Sequence, residues 1–245
     1  MAKIGITGTG SLIGQAIIKS IKQSSFKDEQ LVGMDYFEDT IGSHWTDKNH
    51  ILPDILDENI PEEIWLEKVL FILEKEKLDI LFIGVDFELH LFSKYKEYLE
   101  NKTSCIIVVS GENTILIADD KYLTYEFLKE NYLYYPSTFL ESEIHDAIKT
   151  NKISFPMIIK PRNGYRSVDV YLVHNIKDLE NKIKTISNPV IQESIGNEDT
   201  EYTCGVIKLN DEIKESIVLR RDLKDGNTSK TYLKHDYPII IKERE

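Results

Sequence analysis

The sequence predicts an α/β protein: a Rossmann-like parallel sheet in the N-terminal part, followed by a second domain of α+β type. Three observations predict it. Short apolar runs alternate with helical periodicity up to Val109. A glycine-rich turn follows the first run. From Ser110 the pattern changes to hairpin-like strands, one of them ending in a lysine and a basic turn.

Lys3 to Thr7 reads as a strand, followed by Gly8-Thr9-Gly10-Ser11-Leu12-Ile13-Gly14. Ile13, Ile17, Ile18 and Ile21 then recur at helical spacing, and Leu31 to Met34 is a second strand with Asp35 at its end. A helix N-terminus at Gly10 and Ser11 could receive an anion. The glycine spacing is G-x-G-x-x-x-G, one residue longer than the dinucleotide fingerprint, so glycines used only for packing are the favoured reading. Tyr36 to Asp54 is polar and reads as a loop. Pro61 to Lys77 reads as a helix, Ile80 to Gly84 as a strand, His90 to Asn101 as a helix and Cys105 to Val109 as a strand. This alternation implies a parallel, doubly wound sheet, whose ligands gather at the carboxyl ends of strands. Asp35, Asp86 and Glu88 fall there, either as ligand-facing acids or as helix caps and solvated loop acids.

Past Asn113 to Ile117, a short apolar run, Asp119-Asp120-Lys121 opens a helix that continues to Lys129. Tyr134 to Thr138 is extended, and Ser142 to Thr150 reads as a helix with Ser142 as its candidate cap. Met157 to Ile159 is a buried-strand signal, and Lys160 ends it. Pro161 to Ser167 is a turn holding Arg162, Gly164, Arg166 and Ser167, and Val168 to Val173 resumes a strand. A lysine at a strand end beside a basic turn is either a phosphate cradle or an ordinary exposed hairpin. A helix over Asp178 to Ile186 and a strand over Val190 to Glu193 follow. Glu201 to Leu209 and Glu215 to Arg221 read as antiparallel strands, Lys224 to Ser229 as a loop, and Tyr237 to Ile241 as a last apolar run.

A formal net charge of −12 over 245 residues disfavours nonspecific nucleic-acid binding, because phosphate neutralisation needs a basic excess. No apolar run is long enough to span a bilayer, so no membrane partner is expected. The N-terminus enters a strand at once, which argues against a secretory signal. Cys105 and Cys204 read as buried thiols of a reducing compartment, and a cytoplasmic location is expected. The six histidines show no metal-ligand spacing.

Taken in order, four stretches resemble an ATP-grasp protein of the carbamoyl-phosphate-synthetase-like group. They are Ile6-Thr7-Gly8-Thr9-Gly10 to Gly14-Gln15; Asp120-Lys121-Tyr122 leading to Pro136-Ser137-Thr138; Phe155-Pro156 through Lys160-Pro161-Arg162-Asn163-Gly164 to Ser167 and Val170; and Val190 to Gly196 with Glu201-Tyr202. The match covers Lys3 to about Ser229. The resemblance implies a pre-ATP-grasp domain over 1–111, a small lid subdomain over 112–192, and over 193–245 the start of a large subdomain, incomplete at its C-terminus. It implies ATP as cofactor. Lys121 and Lys160 would reach the phosphates, and the Arg162 to Ser167 loop, with Gly164, would close over them. Gln192, Glu193, Ser194 and Ile195 would form the adenine hinge, and Glu201 would hold the ribose. Arg220 and Arg221 read either as a catalytic clamp on a substrate carboxylate or the triphosphate, or as an exposed strand pair. Gly10, Ser11, Asp35, Asp86 and Glu88 are the candidate substrate contacts. The substrates implied are a small-molecule carboxylate and an amine, joined through an acyl phosphate, and a homodimer is the expected assembly.

Two departures from the family pattern stand out. Tyr165, Arg166 and Asp169 occupy lid positions where glycine is expected. The family's Mg2+ ligands lie on strands downstream of the Glu201 match, and no Glu-x-Asn pair occurs there, so no metal ligand is assigned. Two other readings therefore stay open. One is a nucleotide-binding module without catalysis. The other is an NAD(P)-dependent short-chain dehydrogenase or epimerase, with Tyr98 and Lys102 or Tyr125 and Lys129 as its Tyr-x-x-x-Lys pair.

Overall fold

The computed structural model describes residues 1–164, 168–196, 201–209, 211–224 and 227–233. The chain divides into two compact units, 1–116 and 117–245. The first is built from β1 (Lys3–Thr7), α1 (Leu12–Lys22), β2 (Gln30–Asp35), β3 (Lys48–Ile51), α2 (Glu62–Glu76), β4 (Ile80–Phe82), α3 (Leu89–Thr103) and β5 (Ile106–Val108). The strands pair in parallel in the order β3-β2-β1-β4-β5. The chain winds outward from β1 in one direction and then returns to its other side at β4. The gap between those two carboxyl ends is the topological switch point of the sheet. Val32, Met34, Leu81 and Ile107 are buried against Trp65, Val69 and Ile72 of α2 and Phe92 of α3. The Trp65 and Phe92 rings meet edge to face at 4.8 Å.

Helix α4 (Glu112–Asp119) runs across the boundary in sequence, and the second unit follows with α5 (Lys121–Glu130), β6 (Thr138–Leu140), α6 (Glu141–Lys149), β7 (Met157–Pro161), β8 (Tyr171–Val173), α7 (Ile176–Ile183) and β9 (Pro189–Glu193). An antiparallel sheet of order β6-β9-β7-β8 forms here. Its strands alternate. Met157, Ile159, Val173 and Ile191 face inward and are buried with Ile144 and Ala147 of α6 and Leu179 of α7. The intervening positions, Ile158, Lys160 and Gln192, therefore belong to the opposite face. A second antiparallel sheet consists of β10 (Tyr202–Leu209), β11 (Glu212–Lys224) and β12 (Asn227–Leu233).

Five expectations need correction. The stretch 36–54 is not all loop: it holds a short 3-10 turn at Ser43–Trp45 and the edge strand β3. β3 reads Lys-Asn-His-Ile, and an edge strand with little to bury leaves little apolar signal. Helix α6 starts at Glu141, and Ser142 does not cap it; the Glu143 carboxylate accepts from the Leu140 amide at 2.9 Å. The strand read from Val168 starts at Tyr171, because Asp169 turns the chain with φ +56. The loop read over Lys224 to Ser229 is largely strand, with β11 running to Lys224 and β12 starting at Asn227. Cys105 is buried, but Cys204 is exposed on β10. Ser167, Tyr165, Arg166 and the apolar run Tyr237 to Ile241 lie outside the described residues.

Candidate nucleotide site

Helix α5 is started by Asp120, whose carboxylate accepts from the amides of Tyr122 at 2.8 Å and Leu123 at 3.2 Å. The same carboxylate receives the Arg162 guanidinium through Nε at 2.9 Å and Nη2 at 2.5 Å, with both side chains mostly shielded. Burial alone would raise the Asp120 pKa; Arg162 and the two amides more than offset that and hold it below the usual carboxylate range. Arg162 also lies over the Tyr122 ring, 5.3 Å from its centre. The arginine expected to face phosphate is thus engaged in fixing the start of α5 to the end of β7.

Lys121 reinforces that junction. Its backbone amide donates to the Arg162 carbonyl at 3.1 Å, and its Nζ donates to the carbonyls of Arg162 at 3.0 Å and Gly164 at 3.2 Å. Asn163 Nδ2 adds a bond to Asp119 Oδ2 at 2.8 Å. Lys160, on the open sheet face, donates from Nζ to Gln192 Oε1 at 2.6 Å. Burial, and next the positive charge of Lys121, push the Lys160 pKa down. Burial also lowers that of Lys121, against the opposing pull of Asp119 and Asp120. The structure therefore brings Lys121, Lys160, Arg162 and Gly164 together at the carboxyl end of β7, with Gln192 reaching Lys160 from the neighbouring strand β9.

Glu193 ends β9 opposite Met157, at the start of β7. Its amide donates to Ser137 O at 2.9 Å, and its carboxylate accepts from Ser137 N at 3.2 Å. Ser194, Ile195 and Gly196 continue from it; Ile195 is 64% exposed and Gly196 has φ +80. Ser167 is not among the described residues. Glu201, Arg220 and Arg221 belong to the second sheet. Arg221 Nη2 donates to Glu201 Oε1 at 2.8 Å, and its amide to Glu201 O at 2.9 Å. Arg220 stacks on Tyr232 at 4.3 Å and donates to Asp222 at 2.8 Å.

The candidate substrate positions of the first unit lie at the carboxyl ends of β1, β2 and β4. Asp35 Oδ2 accepts from the Gly10 amide at 2.7 Å and from Thr9 Oγ1 at 3.0 Å. Ser11 caps α1, accepting from Gly14 N at 2.9 Å, and donates to Gly84 O at 2.7 Å. Glu88, fully buried, accepts from Thr7 Oγ1 and from the Tyr36 hydroxyl, the latter at 2.7 Å. Asp86 is exposed nearby in sequence. The glycines are used for close approach: a Cβ at Gly14 would stand 2.2 Å from the Gly8 carbonyl, and one at Gly42 would stand 1.9 Å from the Thr9 carbonyl.

Thr138 and Asp120 are the site residues that sequence reading left without a role. Asp120 carried a visible cap signal ahead of Lys121, but its arginine partner lies 42 positions away and only the fold pairs them. Among the described residues, no group of three or more His, Cys, Asp or Glu side chains is placed to hold a metal ion. No helix among them is long and apolar enough to cross a membrane.

A family model for the ATP-grasp domain matches residues 118–242, and the chain belongs to the ATP-grasp family. It is 32% identical over 112 residues to a D-alanine–D-alanine ligase of Petrotoga mobilis, covering 42% of this chain and 34% of that protein. It is 22% identical over 189 residues to a carbamoyl-phosphate synthase of Methanobrevibacter smithii, covering 73% of this chain and 50% of that one. Its fold is similar to that of N5-carboxyaminoimidazole synthetase from Staphylococcus aureus complexed with ADP, with a TM-score of 0.71, 20% identity, and coverage of 99% of this chain and 61% of that chain. The chain thus spans a third to a half of these curated relatives and about three fifths of that solved structure.

Proposed function

We propose that the second unit binds ATP on the open face of the β6-β9-β7-β8 sheet, as part of an ATP-dependent ligase that joins a carboxylate to an amine through an acyl phosphate. One observation carries the reading. Lys160 is held half-buried on that face with its pKa depressed by burial and by Lys121, so two ammonium groups converge where a polyphosphate would relieve both their repulsion and their desolvation. The Gln192 to Ile195 segment lies at the end of the adjoining strand β9, where exposed backbone groups can read an adenine edge. The similarity to D-alanine–D-alanine ligases and to an ADP-bound synthetase supports the same class of chemistry. In this reading, residues 112–192 form the lid subdomain and 193–245 part of the large subdomain. Arg162 serves the lid by anchoring its base through Asp120 rather than by touching phosphate.

Titration calorimetry of the purified chain with Mg-ATP and with NAD(P) tests this. Saturable Mg-ATP binding is expected, weakened at least about tenfold in Lys160→Ala, the scale of a charge-assisted phosphate contact. Saturable NAD(P) binding without ATP binding would favour the dehydrogenase reading and end this one.

A further inference from the structure

A chain of hydrogen bonds crosses the open face of the four-stranded sheet and ends on Lys160. Thr138 Oγ1 donates to the Pro136 carbonyl at 2.8 Å, a group that can only accept. Thr138 is 1% exposed, and with its one proton committed it meets Gln192 as an acceptor, taking Gln192 Nε2 at 2.9 Å. This fixes which way the amide points. The Gln192 oxygen is left for Lys160 Nζ, at 2.6 Å. The strands supply the register: Thr138 lies directly opposite Gln192 between β6 and β9, and Lys160 lies one diagonal step away across β7.

The partner chosen for the lysine is neutral. A carboxylate at this position would form an ion pair and cancel much of the charge a phosphate needs. An amide oxygen holds the ammonium in place and leaves its charge intact. We propose that Gln192, aligned by Thr138, is a positioning residue that sets Lys160 for the nucleotide phosphates while preserving its charge. This role belongs to the side chain and is separate from the backbone contacts of the hinge. It rests on the reading of Lys160 as a nucleotide contact.

The test uses the full chain, with Mg-ATP affinity measured by calorimetry and the Lys160 ammonium followed by NMR pH titration. Gln192→Met and Gln192→Glu are each expected to weaken Mg-ATP about tenfold, and Thr138→Val to weaken Mg-ATP about threefold. Gln192→Glu should raise the Lys160 pKa and Gln192→Met lower it, opposite movements that a general loss of packing does not produce. If Lys160→Ala weakens Mg-ATP binding while both Gln192 variants bind like wild type and leave the Lys160 titration unmoved, the positioning role is overturned and the nucleotide reading stands. If Lys160→Ala binds Mg-ATP like wild type, the nucleotide reading fails and this inference falls with it. Should the Gln192 variants lose their fold, judged by their melting temperature, Thr138→Val decides by the same affinity and titration criteria.

Discussion

Glu88 is fully buried, and its carboxyl is pushed up to about 7, first by burial and further by Asp35. The hydrogen bonds from Thr7 and Tyr36 act in the opposite direction and only partly offset this. A carboxyl whose folded pKa exceeds its unfolded value binds its proton more tightly in the folded state. Its contribution is fully present below the ordinary carboxylate range and is lost as pH rises through about 7. Denaturant titrations should therefore show stability falling between about pH 5 and pH 8, by up to about 3 kcal/mol. Glu88→Gln should flatten that slope. A slope that survives the substitution would assign it to other groups. Asp120 is the residue-scale counterpart in the second unit. Asp120→Ala removes a helix cap and leaves Arg162 without its carboxylate, and should cost about 2–4 kcal/mol in the unfolding of that unit. The helix start at Asp119-Asp120-Lys121 and the basic turn after Lys160 were both legible in the sequence. That Lys121 and Arg162 bond to each other's segment was not, because that geometry exists only after β7 returns beside α5.

Elements were most legible where burial is one-sided and periodic. Helices α2 and α3 and the strands β1, β2, β4 and β5 fall close to their expected positions, since each carries apolar residues into a buried core cluster. β3 and the β11–β12 reversal were missed for a shared reason: exposed strands need no apolar alternation, so their residues look like loop. Both central helices of the first unit end on non-glycine residues in the left-handed region, Lys77 at φ 56 after α2 and Ser104 at φ 60 after α3. Glycine is the residue that adopts this conformation without steric cost. Lys77→Gly and Ser104→Gly should each raise stability, by about 0.5–1 kcal/mol, read as a higher denaturation midpoint with an unchanged slope. The Gly8 to Gly14 turn points the other way. Its glycines admit no Cβ, and this agrees with the packing use favoured from their irregular spacing.

At the scale of the molecule, a net charge of −12 coexists with unusually open apolar surface on the β10-β11-β12 sheet. Ile207, Ile213, Ile217, Leu223 and Leu233 are between 43% and 58% exposed, and β10 and β12 are both edge strands. Exposed apolar side chains on a sheet bind hydrophobic dyes and promote association. The purified chain should therefore enhance the fluorescence of such a dye, and Ile217→Lys should reduce that signal while changing stability by less than about 0.5 kcal/mol. An unchanged signal would place the dye elsewhere. Inside a cell, a sheet of this character is also what quality-control machinery recognises. Chaperones and proteases sample exposed apolar strands continuously, so the amount of this protein present at steady state would depend on how long that surface stays uncovered. Substitutions on β10 to β12 would then register first as altered abundance, before any change in what each surviving molecule can do.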